Sequence, residues 1–354
     1  MTVDLGVIEG YYGLSWTWAA RRDTAAFLSR HGYRFFIYAP KADPFLRKRW
    51  REEHPVETAE AIAAFSADCR GRAVRFGVGL SPFEIYRSFD AGVKADLGRK
   101  LATLDAIGLD DLAILFDDMR GDIDGLARIQ TDIVHWIAGR TKATRVIVCP
   151  TYYSDDPVLD RVFGARPPRF LEEFGAALDR KIEVFWTGEE VCSREFGAAH
   201  LERVAGQLRR KPLFWDNYPV NDGPAMSPYL HLRAFTGRPA RVGGLLAGHA
   251  INPALQPILT RIPALTLAAS YREGDRYAYG AAFVEAAEAV LGPRLAAMVG
   301  RHITLFQDTG LERMGEAVGR LRDRYAGIDH DGAQEIVDWL DGKWRTTSTT
   351  MADA

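Results

Sequence analysis

The 354-residue chain has little cysteine. Its three residues, Cys69, Cys149 and Cys192, form no Cys-x-x-Cys pair. The odd number and the spacing argue against a disulfide framework and against a thiolate zinc site. An excess of charge of one sign is also missing: 45 lysines and arginines face 47 aspartates and glutamates, for a net charge of −2. Neither nucleic acid nor a membrane surface is therefore expected as a partner. No apolar run approaches the ~20 residues of a membrane span. The first residues, Met1-Thr2-Val3-Asp4, lead straight into an apolar pattern, without the basic and then hydrophobic stretches of a secretory leader. Low-complexity tracts and internal repeats are absent as well. These absences leave a reduced, cytoplasmic, globular protein as the expectation.

What the chain does contain is an alternation. Eight short runs rich in Val, Ile, Leu and Phe occur at Leu5–Glu9, Arg34–Ala39, Val74–Leu80, Leu112–Phe116, Val146–Cys149, Ile182–Trp186, Pro212–Trp215 and Gly243–Ala247. They lack strict polar alternation, as strands buried on both faces of a parallel sheet do. Stretches with helical spacing of apolar residues separate them: Thr17–Arg30, Thr58–Arg70, Lys94–Ile107, Ile123–Ala138, Pro168–Leu178 and Glu195–Arg209. The seventh connection is irregular, and the eighth, about Pro253–Ala269, is interrupted by Pro257 and Pro263. Eight such units over about 270 residues predict a (β/α)₈ TIM barrel. A doubly wound open sheet is the alternative. It would carry a Gly-rich phosphate loop after the first strand, where this chain has the bulky Glu9-Gly10-Tyr11-Tyr12-Gly13.

From about Tyr271 the pattern changes to helices without strands, at Ala281–Leu291, Pro293–Phe306, Leu311–Tyr325 and Ala333–Trp344. The expected organisation is a catalytic barrel over 1–270, a small C-terminal helical region over 271–345, and a polar, disordered tail over 346–354.

Active sites of such barrels sit at the C-terminal ends of the strands. Here those ends collect Gly10 and Tyr12, Lys41 and Asp43, Asp117-Asp118, Thr151-Tyr152-Tyr153, Trp186-Thr187-Gly188, Trp215-Asp216-Asn217 with Asn221-Asp222, and His249 with Asn252. Aromatic faces stack on sugar C–H surfaces, and Asp, Asn and Lys hydrogen-bond hydroxyls. The set lacks the cationic cluster of a phosphate site and points to a neutral polar ligand such as a carbohydrate. A His-x-His metal pair after the first strand is missing too.

Asp117-Asp118 is the sharpest feature. Two adjacent carboxylates repel, so one is expected to keep a raised pKa and act as an acid near neutral pH. Neighbours on one strand end do not suit acid and nucleophile on opposite sides of a glycosidic bond. They suit substrate assistance, in which one protonates the leaving oxygen and the other holds an attacking group of the sugar itself. The plainer reading of the pair is a turn with a helix N-cap. Similarly, Asn221-Asp222-Gly223-Pro224 alone reads as an Asx turn, and Lys41 with Asp43 as a solvated turn. His249 is expected to be a structural hydrogen-bond partner, and Cys149 and Cys192 to be core residues. Arg47-Lys48-Arg49-Trp50-Arg51 is expected to form a solvated surface segment.

These fragments, taken together, resemble the O-GlcNAcase family of glycoside hydrolases, which includes eukaryotic O-GlcNAcase and bacterial β-N-acetylglucosaminidases. The matching segments are GVIEGYYG (Gly6–Gly13), YAPKAD (Tyr38–Asp43), LFDDM (Leu115–Met119), CPTYY (Cys149–Tyr153), FWTG (Phe185–Gly188), WDNYPVND (Trp215–Asp222) and Asn252-Pro253. They are collinear over about residues 6–270. The resemblance implies a retaining exo-β-N-acetylglucosaminidase working through an oxazoline intermediate, without cofactor or metal. An endo-acting hexosaminidase and a non-catalytic carbohydrate-binding barrel are the alternatives. Its substrate would be terminal β-linked GlcNAc, including that carried on protein Ser or Thr. By the same resemblance Asp117 accepts the acetamido N–H, and Asp118 is the general acid and then the base. Tyr153 binds near the acetamido carbonyl or the departing oxygen, and Asn217 positions the acetamido group and Asp118. Asp222 binds O4 and O6. Asn252, Lys41 and the Gly10 backbone hold other hydroxyls, and Trp215 and Tyr12 wall the pocket. The family commonly has an acidic residue where Ala42 stands and Glu where Tyr152 stands, which bears on the rim and the aglycone more than on the reaction.

Overall fold

The computed structural model describes residues 3–353. Eight parallel strands close into a barrel in chain order: β1 (Leu5–Ile8), β2 (Tyr33–Tyr38), β3 (Arg75–Leu80), β4 (Asp111–Leu115), β5 (Arg145–Cys149), β6 (Glu183–Trp186), β7 (Leu213–Asp216) and β8 (Gly248–Ile251). β8 pairs back onto β1 with Leu5 opposite His249. The surrounding helices are α1 (Trp18–Ser29), α2 (Val56–Arg70), α3 (Ala91–Ile107), α4 (Leu126–Ala138), α5 (Pro157–Phe163), α6 (Phe170–Ala177) and α7 (Ala198–Leu208). A single turn, α8 (Gly223–Met226), precedes β8, and α9 (Arg261–Glu273) closes the ring. This is a (β/α)₈ barrel with C-terminal helices. No helix among the described residues is long and apolar enough to cross a membrane.

The two-residue period of a strand sorts side chains between two cores. Leu5 and Val7, Phe36 and Tyr38, and Leu112 and Ile114 pack outward beneath the helices. Ile8, Phe35, Ile37, Ala39, Ala113, Leu115, Ile147, Cys149, Leu213, Trp215 and Ala250 point inward and fill the barrel. The N-terminal end of the barrel is held by ion pairs. Buried Asp111 meets Arg145 at 3.1 Å and Arg75 at 3.5 Å, and Arg145 continues to Glu183. The filled interior leaves space only at the opposite end.

Helices α10 (Tyr279–Thr304), α11 (Ala317–Ala326) and α12 (Asp331–Leu340) follow the barrel. Helix α12 and the turn after α10, Leu305–Thr309, clasp the connections on either side of β8. Glu335 accepts the N–H groups of Ile258 and Leu259 at 2.9 Å, and the Trp339 indole donates to the Ser227 carbonyl at 3.2 Å. Gln307 Oε1 accepts from the N–H groups of Leu232 and Arg233, both at 2.8 Å.

Several boundaries differ from the sequence reading. The eighth strand is Gly248–Ile251, and the apolar run Gly243–Ala247 lies largely in a 3₁₀ turn over Ala240–Leu245. His249 lies inside this strand, where its ring meets Asp216 and the Tyr271 hydroxyl. The helix of the eighth connection, α9, starts at Arg261, with Pro263 in its first turn, where no backbone donor is required. The stretches Ala281–Leu291 and Pro293–Phe306 are separate helical segments as expected, divided by Gly292, whose φ of 72° and ψ of 159° are not helical. Within the stretch 346–354 expected to be a disordered tail, Thr346 is buried and Ser348–Asp353 form a short helix, α13, while Ala354 lies outside the described residues.

Candidate active site

The strand period continues past the strand ends and builds the site. Counting in twos from inward core residues, Ile8 leads to Gly10 and Tyr12, Ala39 to Lys41, and Leu115 to Asp117. Cys149 leads likewise to Tyr153, Trp215 to Asn217, and Ala250 to Asn252. All of these line one cavity of about 140 Å³ at the C-terminal end of the barrel, together with Trp215, Asp118 and Asp222. The structure thus brings all ten sequence-predicted site residues to one place.

Asp118 is out of step with this period. Its backbone takes the left-handed conformation, φ 59°, which is uncommon for a residue other than glycine. The chain turns there, and both neighbouring carboxylates face the cavity. The Lys41 ammonium ion pairs with Asp117 Oδ2 and stands 3.3 Å from Asp118 Oδ2. The Tyr12 hydroxyl donates to Asp118 Oδ2 at 2.7 Å. The two acids differ in depth: side-chain exposure is 8% for Asp117 and 26% for Asp118. Asp117 Oδ1 is buried and has no hydrogen-bond partner among the described residues. A buried carboxylate oxygen without a donor is costly and suits a ligand that brings one.

Lys41 alters the electrostatics expected of two adjacent acids. Burial pushes the Asp118 carboxyl up, but Lys41, the Tyr12 hydroxyl and Arg47 outweigh it and hold Asp118 below the ordinary carboxylate range. The expectation that one of the pair keeps a raised pKa in the free protein is thus not met by Asp118. Burial would likewise lower Lys41, but Asp117 and then Asp118 hold it up. The raised carboxyl in the cavity is Asp222, pushed to about 6 by burial, with Asp118 adding to the effect. Burial and then the two aspartates push the Tyr153 phenol well above its usual range.

The remaining polar residues form a braced wall. Asn252 Oδ1 accepts the Gly10 N–H at 3.1 Å, and Asn252 Nδ2 donates to Asn217 Oδ1 at 3.0 Å. Asn217 Oδ1 also accepts from the Trp215 indole at 3.0 Å, and its Nδ2 donates to the Val191 carbonyl. None of these bonds goes to Asp118. Gly10 is required by close approach, since a Cβ there would stand 2.0 Å from the Trp215 ring. Asp222 Oδ2 accepts the Tyr12 N–H at 2.7 Å, which joins the β1 and β7 loops; the Asx-turn reading of Asp222 alone is replaced by this cross-loop bond.

Behind the wall lies a buried charge network that the sequence did not reveal. Asp216 receives Arg238 at 2.8 and 2.9 Å and His249 at 3.0 Å. Arg238 also donates to the carbonyls of Ser193 and Arg194, fixing the β6–α7 loop that carries Val191 and Cys192. His249 is therefore a structural partner, as expected.

Two expectations are overturned. Arg47 and Trp50 are buried, not part of a solvated segment, and the Arg47 guanidinium stacks 5.1 Å from the Phe83 ring. Cys192 is exposed at the cavity rather than in the core, whereas Cys149 is a buried core residue that also lines the cavity floor. Tyr152 turns away, donating to the Gly164 carbonyl at 2.6 Å. Val191, Val220, Met226 and Met351 also line the cavity. Val220 lies within the WDNYPVND segment, but the other three fall outside every quoted segment, and only their apolar character could have drawn attention to them.

No group of three or more His, Cys, Asp or Glu among the described residues is arranged to hold a metal ion. Residues 5–302 match the family described as beta-N-acetylglucosaminidase. Protein O-GlcNAcase of Mus musculus and that of Rattus norvegicus are each 29% identical to the chain over 276 residues. The matched region is 75% of this chain but 30% of each relative, so the chain spans under a third of their length. A solved structure of a point mutant of the Thermobaculum terrenum O-GlcNAc hydrolase superposes with a TM-score of 0.79 at 26% identity. It covers 95% of this chain and 80% of that one. With a family match over most of its length, a closed barrel and paired acids at the expected end, the chain belongs to the beta-N-acetylglucosaminidase family of glycoside hydrolases.

Proposed function

We propose that the chain is a retaining exo-β-N-acetylglucosaminidase in which the substrate's own acetamido group is the nucleophile. The observation that carries this reading is the unpartnered, buried Asp117 Oδ1 beside a second carboxylate nearer the cavity mouth. Asp117 accepts the acetamido N–H and turns the carbonyl oxygen toward the anomeric carbon. As the oxazoline forms, the nitrogen gains positive charge, which the carboxylate stabilises in the transition state. Asp118 lies where a leaving group departs and water enters. It protonates the glycosidic oxygen in the first half-reaction and takes a proton from water in the second.

Free Asp118 is held ionised by Lys41 and Tyr12. A bound sugar buries it further and competes for both partners, and each effect raises its pKa towards that of an acid at working pH. Tyr153 donates to the acetamido carbonyl or the leaving oxygen. Asp222, Asn252, Lys41 and the Gly10 backbone take the hydroxyls, with Trp215 and Tyr12 as apolar walls. Asn217 acts through Trp215 and Asn252.

On this reading residues 1–270 are the catalytic unit and 271–345 brace its β7 and β8 loops. The substrate is terminal β-linked GlcNAc, including GlcNAc on Ser or Thr of proteins, and the enzyme works in the cytoplasm, where its three free thiols stay reduced. The test is release of 4-nitrophenol from its β-N-acetylglucosaminide by the purified chain. Turnover unchanged by a chelator is expected. Loss of turnover on chelation, or none at all, contradicts the reading.

A further inference from the structure

Residues 346–351 lie beyond the matched family region, yet they reach back to the cavity. The contact is made at both loops that hold Tyr12 and Asp222. On the β1 side, Thr346 Oγ1 lies 2.7 Å from where a Cβ of Gly13 would stand; that glycine, at φ 105°, leaves the space the threonine uses. On the β7 side, the Thr346 N–H donates to Ser227 Oγ at 3.1 Å, just after α8. The short helix α13 packs on α8. Its Met351 sulfur is 3.6 Å from the Cβ position of Gly223, the residue after Asp222, and Met351 lines the cavity while remaining 36% exposed. The Tyr12 N–H to Asp222 bond joins the same two loops from within. Segment 346–351 therefore spans from outside what that bond spans from inside.

We infer that Met351 is a specificity-determining residue, the wall that closes the cavity on the Asp222 side and restricts it to a sugar with nothing attached at O4 or O6. This rests on the reading that Asp222 binds those hydroxyls. A thioether is a suitable wall: it is apolar, polarisable and adapts to the C5–C6 edge of a pyranose. A chain continuing from O4 would run into Met351 and the Gly223 turn. Met351 makes no hydrogen bond to the reacting groups, so it governs which substrates fit and not the chemical step.

The test uses the full chain, Met351→Ala, and a variant ending at Thr347, which keeps the buried Thr346. Each is assayed on the 4-nitrophenyl glycosides of GlcNAc and of β-1,4-linked di-N-acetylchitobiose, scoring intact chitobiose released directly. Met351→Ala should raise KM on the monosaccharide about tenfold with little change in kcat, the pattern of lost binding. The shortened variant should release intact chitobiose at least roughly tenfold faster than the parent. A thermal midpoint within about 2 °C for Met351→Ala, at its part-exposed position, separates a binding effect from loss of fold. If the parent is active on the monosaccharide and both variants keep its KM and its exclusion of chitobiose, the wall is refuted while the functional reading stands. If the parent cleaves neither glycoside, the functional reading falls and takes the wall with it.

Discussion

The Tyr12 hydroxyl donates to Asp118 Oδ2 at 2.7 Å. That bond favours the ionised carboxylate and works with Lys41 to hold Asp118 below the ordinary range, against the effect of burial. Tyr12→Phe removes a donor to the charged form, so the Asp118 pKa rises. The basic limb of the kcat profile, set by the acid in the substrate complex, should move to higher pH. A limb that stays in place removes Tyr12 from the control of Asp118.

The two aspartates should separate by leaving group. Asp118→Ala is expected to cost on the order of 10²–10³-fold on a poor alkyl leaving group and far less on an activated phenol, which needs no acid. Asp117→Asn should slow both alike, because it impairs attack by the acetamido group whatever departs. Equal losses for Asp118→Ala on both substrates would reject it as the acid.

Most of the barrel was legible in the sequence because its signals are local. Seven of the eight apolar runs overlap the strands, and the two-residue period that buries Leu115 also aims Asp117 into the cavity. What escaped depended on contacts between distant residues. β8 was placed several residues early because His249 needs Asp216 and Tyr271 to be acceptable in a buried strand. Arg47 looked solvated because nothing local shows that it stacks on Phe83. The Asp118 pKa went in the opposite direction because Lys41, 76 residues from Asp117 in sequence, lies against both carboxylates. Met351 sits in a polar tail whose composition suggested fraying, and its role depends on the Gly13 and Gly223 turns.

Asp222, raised to about 6, gives a second pH dependence. Above that value it is ionised and accepts hydroxyl donors well; below it the carboxyl is protonated and binding weakens. On an activated aryl glycoside, which needs no proton from Asp118, kcat/KM should therefore fall as pH drops through about 6, mainly through KM. Asp222→Asn should bind more weakly throughout and lose this inflection. An inflection that persists in the variant assigns it to another group.

Glu335 tests the clasp between α12 and the β8–α9 connection. Burial pushes it to about 8, although it accepts backbone N–H groups from Ile258 and Leu259. Its folded pKa lies above the unfolded value, so its contribution to stability is complete below about pH 4.5 and is lost as pH rises through about 8. Glu335→Gln keeps an acceptor for both N–H groups and abolishes the titration. Relative to the parent, the variant should gain stability between pH 5 and 8.5, by a few kcal/mol at most. Parallel melting curves at both pH values would contradict the burial argument.

The participation of the acetamido group is tested most directly by fluorinating it. Aryl β-GlcNAc glycosides bearing acetyl, fluoroacetyl, difluoroacetyl and trifluoroacetyl groups differ chiefly in how strongly the carbonyl oxygen can attack. With Asp117 aligning that oxygen, kcat/KM is expected to fall steeply with each added fluorine. A series that is flat across all four substrates would mean that a side chain of the protein, not the sugar, supplies the nucleophile.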